Sequence, residues 1–360
     1  MSNIQEAPPR KSIVYYIPYV EEGRFIPLLK GLLRENWYNL YGADDFVAVK
    51  LHFGEKGVTT HIKPHWVKEI LSVWADKRVK FFLTDTVTLY HGARMDAVMY
   101  LNLIREHGFD TIGVPIIIAD GLRGDEGVDI EINGQFYRYV NIATGIVKSD
   151  AMLVLTHFTG HELTGFGATI KNLGMGCSTR RGKLSMHSTL APRVVLDRCK
   201  ACGICARWCS VGAITVTEHA IIDEQKCSGC AACIAVCPEG AIRTNWNESS
   251  ANAQRKIAEY ALGAVKGKPV LYVTFLLNIT KLCDCFPSDK IEGLDRGVLV
   301  SEDPVALDMA SYELVDYETT MRKLRPEIDP LIQVRHAAEV GLGSMDYELI
   351  TLGDVRKSGY

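Results

Sequence analysis

The chain has 360 residues, 47% of them hydrophobic and 23% charged, with a net charge of −3. That is enough for a large core and two or three domains, and the interspersed charges exclude the concentrated basic footprint of a nucleic-acid binder. The longest apolar run, residues 270–279, is broken by Thr274 and Asn278 and is far short of the roughly 20 residues a spanning helix takes. No charged start leads into an apolar stretch at the N-terminus, so a cytoplasmic protein without a membrane partner is expected.

Taken in chain order, residues 13–17, 46–51, 80–84, 116–119 and 151–156 are short apolar runs rich in β-branched or aromatic residues, which predicts strands. Helical patterns lie between them at 25–36, 64–76 and 94–107, with Pro64 suited to a first turn and Gly108 to a stop. Residues 129–140 predict a hairpin turning at Asn133-Gly134. Beyond the cysteine-rich stretch, a helix over 251–265, strands over 270–277 and 297–300 and a helix after Pro304 resume the alternation. The fold class expected is α/β, a mostly parallel, doubly wound sheet. Ligands of such sheets gather beyond the carboxyl ends of the strands, where His52, Asp85 and His157 fall.

Eleven cysteines in a chain of this size point to metal chemistry rather than a disulfide framework. Cys199, Cys202, Cys205 and Cys209 recur 28 residues later as Cys227, Cys230, Cys233 and Cys237, and Gly-Ala-Ile at 212–214 recurs at 240–242. Both runs have the C-x2-C-x2-C-x3-C spacing of bacterial ferredoxins, in which the fourth cysteine serves the other cluster. The expected assignment is therefore Cys199, Cys202, Cys205 and Cys237 on one 4Fe–4S cluster and Cys227, Cys230, Cys233 and Cys209 on a second. Zinc bound by C-x2-C pairs is the competing reading, which the duplicated pattern disfavours. Ser210 stands where proline usually follows the fourth cysteine, while Pro238 is present in the second run. The expected organisation is a body over 1–192, a ferredoxin-like insertion over 193–244, and the rest of the body over 245–360.

Outside that segment lie glycine-punctuated polar clusters: KLHFGE at 50–55, LTDTVTLYHGAR at 83–94, THFTGHELTGFGATIK at 156–171, GMGCSTRRGKLSMH at 174–187 and CDC at 283–285. With SEDPVALD at 301–308 and the inserted cysteine segment, they make the chain resemble iron–sulfur center proteins of the domain-of-unknown-function 362 family, over nearly its whole length. Thr156-His157-Phe158, Lys171 and His187-Ser188 are also similar to the middle of the lactate racemase family. That resemblance implies a histidine after a strand, a lysine anchoring a nickel-pincer nucleotide, and a later histidine on nickel. Asp85-Thr86 is similar to the same family's nucleotide-contacting segment. The chain departs from it by about four extra residues near 160–163 and by the cysteine segment.

An anionic ligand, a nucleotide or a carboxylate, is expected near Lys171, His157 and the amides of Gly165 and Gly167, with Asp85 and Thr86 close by. Catalytic candidates are Cys177, His157, Lys171 and His187. A cysteine-x-cysteine pair puts both thiols on one side of an extended chain, so Cys283 and Cys285 are expected to share a third Fe–S cluster or a metal ion with Cys177. Arg180 and Arg181 would lower the Cys177 pKa if they face it. The function expected is a cytoplasmic iron–sulfur oxidoreductase whose two clusters relay electrons from a soluble partner protein to a site in the body. An electron-transfer subunit without its own catalysis, or a cluster-handling assembly protein, would use the same residues.

Overall fold

The computed structural model describes residues 11–19 and 24–353. The body is built on an eight-stranded sheet. In chain order its strands are β1 (Ser12–Pro18), β2 (Phe46–Lys50), β3 (Lys80–Asp85), β4 (Ile116–Ile118), β5 (Ala151–His157), β6 (Val270–Leu276), β7 (Gly297–Ser301) and β8 (Tyr347–Thr351). They lie side by side as β8-β1-β7-β6-β5-β2-β3-β4. Only β7 runs antiparallel to its neighbours, so the sheet is mostly parallel.

Alternation along the strands divides the core into two layers. Ala48, Met152, Val154 and Tyr272 face one layer, with Ile170, Ile257, Val305 and Val334 from helices at Thr169–Gly176, Ser250–Val265, Pro304–Leu314 and Ile332–Glu339. Val47, Val49, Leu153 and Val273 face the other, with Leu29, Trp66 and Tyr100 from helices at Phe25–Trp37, Pro64–Leu71 and Ala97–Glu106. β5 and β6 are buried almost throughout, as central strands covered on both faces must be.

Two expectations change in detail. The helix expected from 94 begins at Ala97, because Asp96 caps it by accepting from the Met99 amide at 2.9 Å; this frees Arg94 for the site below. The hairpin pairs Gly127–Glu131 with Tyr139–Ala143, so its connection is far longer than Asn133-Gly134. Buried Glu259, from the 250–265 helix, accepts the amides of Gln135 (2.7 Å), Phe136 (3.0 Å) and Tyr137 (2.9 Å) and replaces the tight turn. Glu259→Ala strands those donors, and we expect a loss of about 3 kcal/mol, read as a lower urea midpoint without a change in slope.

The cysteine segment leaves the body after the helix Arg180–His187 and closes on itself, Arg193–Val194 pairing with Ile242–Arg243. β5 and β6, on either side of it in sequence, are adjacent and parallel in the sheet, so the chain returns to the body it left. The segment carries its own apolar cluster, including Cys205, Ile214, Cys233 and Ile242.

Candidate functional site

Within the cysteine segment the repeat is visible in the backbone. Left-handed residues occur at Ala201 and Gly229, at Gly203 and Ala231, and at Gly212 and Gly240, each pair 28 apart. The amides of Ala213 and Ala241 donate to the sulfurs of Cys209 and Cys237, both at 3.2 Å. Cys199, Cys202, Cys205 and Cys237 line one concavity, so a cysteine of the second run meets three of the first. No cysteine is in a disulfide among the described residues.

A cavity of about 620 Å³ opens at the carboxyl ends of β2, β3 and β5. Asp85, Thr86, His157, Gly167, Lys171, His187, Cys283 and Cys285, all expected site residues, line it. Gly165 does not: it packs against Pro330 and Tyr317, and the 165–167 strand pairs with Thr159–His161. Of the two expected glycines, only Gly167 borders the cavity.

Cys177 is the larger correction. It is fully buried in the apolar layer with Ile170 and Leu173, and burial pushes its thiol up to about 11. Arg181 faces outward to Asp129 and Arg180 lies near Asp120, so neither activates it. Cys177 is absent from the wall that holds Cys283 and Cys285, so the structure does not bring the three thiols together.

The partners of that cysteine pair come from two loops. Gly160 donates to the Thr280 carbonyl at 2.8 Å, and a side chain there would strike the Lys281 carbonyl. The glycine lets the 159–167 hairpin lie on the chain leading to Cys283. The Glu55 amide donates to the Asp284 carbonyl at 2.9 Å and docks the 283–286 turn beside His52. Cys283 and Cys285 approach each other across this turn, closed by the Phe286 amide on the Cys283 carbonyl, rather than along an extended strand.

The charges around the cavity are mostly paired. Arg94 reaches Glu55 (2.9 Å), His52 (2.7 Å) and the Tyr90 hydroxyl (2.6 Å). Lys50 pairs with Asp85 at 3.0 Å. Lys183 donates to Thr86 and to the Ser178 carbonyl, both at 2.6 Å, and burial lowers it to about 8. Lys171 has neither a hydrogen bond nor an ion pair among the described residues. Burial works against its charge, but the nearby Cys283 and Cys285 raise its pKa on balance. Asp308 accepts the amides of Thr169 (2.8 Å) and Ile170 (2.9 Å) and so fixes the helix that presents Lys171.

The Cys285 thiol is pulled well below its usual range by its hydrogen bond with Cys283, then by Arg94 and by His52, whose Nε2 lies 3.7 Å away. His187 is lowered to about 4 by burial and by Lys171.

His161, Glu162 and Cys283 offer ligand atoms within 4.8 Å of one another. The Nδ1 of His161, however, accepts the amides of Leu163 (3.1 Å) and Thr164 (3.2 Å). Its proton then sits on Nε2, and the ring faces the cavity as a donor rather than as a metal ligand. His161, on the short strand Thr159–His161, was not among the expected site residues.

Asp284, under this wall, is ion-paired to His157 at 2.7 Å. Burial raises the carboxyl, but His157 outweighs it and holds it at about 2. Burial likewise opposes the His157 charge, and Asp284 with the Leu277 carbonyl raises that ring overall. The carboxylate's contribution is full above its unfolded value and is lost as pH falls toward 2; the imidazolium's is lost as pH rises through its raised value. Asp284→Asn is expected to cost on the order of 2 kcal/mol near pH 5, from the drop of 3.8 to about 2. In denaturation at several pH values, that gap should close on acidification.

Leu89 lines the cavity and also packs in the apolar cluster of Cys205 and Cys237. Gly240, three residues after Cys237, lies against the His91 ring. The cysteine segment thus abuts the cavity through the 86–94 loop.

No helix among the described residues is long and apolar enough to cross a membrane. No curated protein matches the chain. A solved protein from Thermotoga maritima is similar at 8% identity and TM-score 0.44, covering 82% of this chain and 59% of its own. Lactate racemase apoprotein from Thermoanaerobacterium thermosaccharolyticum is similar at 10% identity and TM-score 0.32, covering 73% of this chain and 51% of its own. The chain thus spans less than two thirds of either protein. A family model described as domain of unknown function (DUF362) matches residues 47–313, and the chain belongs to that family.

Proposed function

We propose that this protein is an iron–sulfur oxidoreductase in which a ferredoxin-like segment passes single electrons to the cavity of the α/β body. The observation that carries the reading is the contact just described: Leu89 borders both the cavity and the cysteine cluster. The donor set fits two 4Fe–4S clusters, with four free thiols from both runs around one concavity and backbone amides aimed at sulfur. Cys199, Cys202, Cys205 and Cys237 would hold one cluster, and Cys227, Cys230, Cys233 and Cys209 the other. The clusters supply one-electron chemistry at potentials tuned by such hydrogen bonds and by exposure.

The body's own residues bind and orient. Unpaired Lys171 attracts an anion, Asp308 fixes the helix beneath it, and Arg94 with His52 fixes the Cys285 sulfur. Leu196, Val211 and Ile221 are exposed on the cysteine segment and offer apolar contact to a soluble electron carrier. A pure electron-transfer subunit would have no use for a cavity lined by Lys171, His157 and two thiols, which favours the enzyme. Anaerobic reconstitution should yield about eight irons per chain, four for each cubane. Those clusters should be reoxidised faster when an acceptor occupies the cavity. Full iron loading with reoxidation indifferent to every small anion tried would leave only the carrier role.

A further inference from the structure

The cavity wall holds two thiols close enough to hydrogen-bond each other, and the cysteine segment stands beside them. We propose that Cys283 and Cys285 form a dithiol–disulfide couple that reduces small anionic disulfides, with the paired electrons returned through the cysteine segment. The proposal rests on the electron-relay reading above and gives it a substrate class.

The geometry assigns each sulfur a task. Cys285 is the sulfur held by His52 at 3.7 Å, with Arg94 bridging from His52 to Glu55. It is the nucleophile. Cys283 lies behind it in the same turn, nearly inaccessible, with the His161 ring within 4.8 Å. It is the resolving thiol. Two cysteines separated by one residue can meet only because the 283–286 chain folds as a turn. Lys171, without a partner of its own, lies near both thiols, where it would engage a carboxylate of the substrate.

The steps balance. The Cys285 thiolate attacks one sulfur of the substrate; the substrate S–S bond breaks, a mixed disulfide forms and one thiolate leaves, protonated in the cavity. The Cys283 thiol loses its proton and attacks the Cys285 sulfur, releasing the second substrate thiol and closing the Cys283–Cys285 disulfide. Two electrons and two protons would then restore the dithiol, the cysteine segment holding the clusters that would deliver the electrons one at a time. The electrons originate in a reduced one-electron carrier. Two one-electron centers beside one two-electron couple match the stoichiometry.

The His161–Glu162–Cys283 group is the competing use of the same wall. The backbone donors on His161 Nδ1 weigh against it.

The test uses the full chain, anaerobically loaded with clusters, with reduced methyl viologen as donor and dithiodiglycolate as substrate. Viologen should be oxidised catalytically. Cystamine, a cationic disulfide of similar length, should react at least about tenfold more slowly, because its charge meets Lys171. Cys283→Ser should stop turnover and trap dithiodiglycolate-derived thiol on Cys285, seen by mass spectrometry; Cys285→Ser should stop turnover and trap nothing. The iron–sulfur spectrum of both variants should match the parent and certify their fold.

Equal trapping at both positions, unchanged turnover in either variant, or a stoichiometric metal ion displaced by Cys283→Ser would overturn the proposal while leaving the clusters in place. A chain that holds no clusters yet still exchanges its dithiol with dithiodiglycolate would instead sink the relay and keep the couple.

Discussion

Cys237→Ala is expected to remove the cluster of the first cysteine run and to spare the cluster of the second, although Cys237 belongs to the second run. The structure places its sulfur in one concavity with Cys199, Cys202 and Cys205, while the Ala241 amide holds it from behind at 3.2 Å. Removing one of four thiolates leaves an iron without its protein ligand, so the loaded iron should fall by about half, from two cubanes to one. Cys209→Ala should give the mirror result, losing the cluster of Cys227, Cys230 and Cys233; its sulfur accepts from Ala213 in the matching position. Anaerobic iron analysis with electron paramagnetic resonance distinguishes the two residual centers. If both variants retain the same center, the crossed arrangement is wrong.

The repeat itself was legible in the sequence because a 28-residue offset fixes which residues are equivalent, and the left-handed positions at Ala201 and Gly229, Gly203 and Ala231, and Gly212 and Gly240 keep that equivalence in the fold. The strand ends were legible for a similar local reason. Apolar runs fixed β2, β3 and β5, and the polar residues that follow them, His52, Asp85 and His157, reach the cavity as parallel strands require.

Cys177 was misplaced because its neighbours in sequence, Arg180 and Arg181, are not its neighbours in space. Ile170, Leu173 and Cys177 fall at helical spacing on one buried stripe, a sign that outweighed the glycine-rich texture around it. The turn at Asn133-Gly134 was likewise overridden from afar, by a carboxylate on a helix more than a hundred residues on. What brings Cys283 to His161, and Cys285 to His52, was not legible. Those contacts depend on the Gly160 and Glu55 amides meeting backbone carbonyls of a loop beyond the cysteine segment, and local pattern does not encode such pairings.

Lys50→Met should be the most destabilising single change in the body. Lys50 ends an otherwise apolar strand, FVAVK, and is 1% exposed. Its ammonium lies 3.0 Å from Asp85 Oδ1 and 2.6 Å from Asn172 Oδ1. The other Asp85 oxygen accepts from the Tyr100 hydroxyl at 2.5 Å. Burial pushes the Asp85 carboxyl up, but Lys50, with His52 and that hydroxyl, holds it below the usual aspartate range. Methionine fills most of the lysine's volume and leaves the carboxylate charged and buried without the cation that contacts it. Breaking a buried pair in this way costs about 3–5 kcal/mol.

The pH dependence separates lost charge from lost packing. In the parent, a depressed Asp85 pKa contributes stability above the unfolded value, and that contribution is lost on acidification. In Lys50→Met the carboxyl has lost its main cation, so protonation relieves the strain and the deficit should shrink as pH falls. Lys50→Met combined with Asp85→Leu removes both charges and should recover most of the loss, since an apolar replacement of a buried pair is often neutral. Anaerobic urea denaturation of the parent and the two variants at two pH values reads the comparison. A single variant that loses under about 1 kcal/mol, the ordinary size of a surface pair, would show that Asp85 takes its proton instead and that the pair does not hold this end of the sheet.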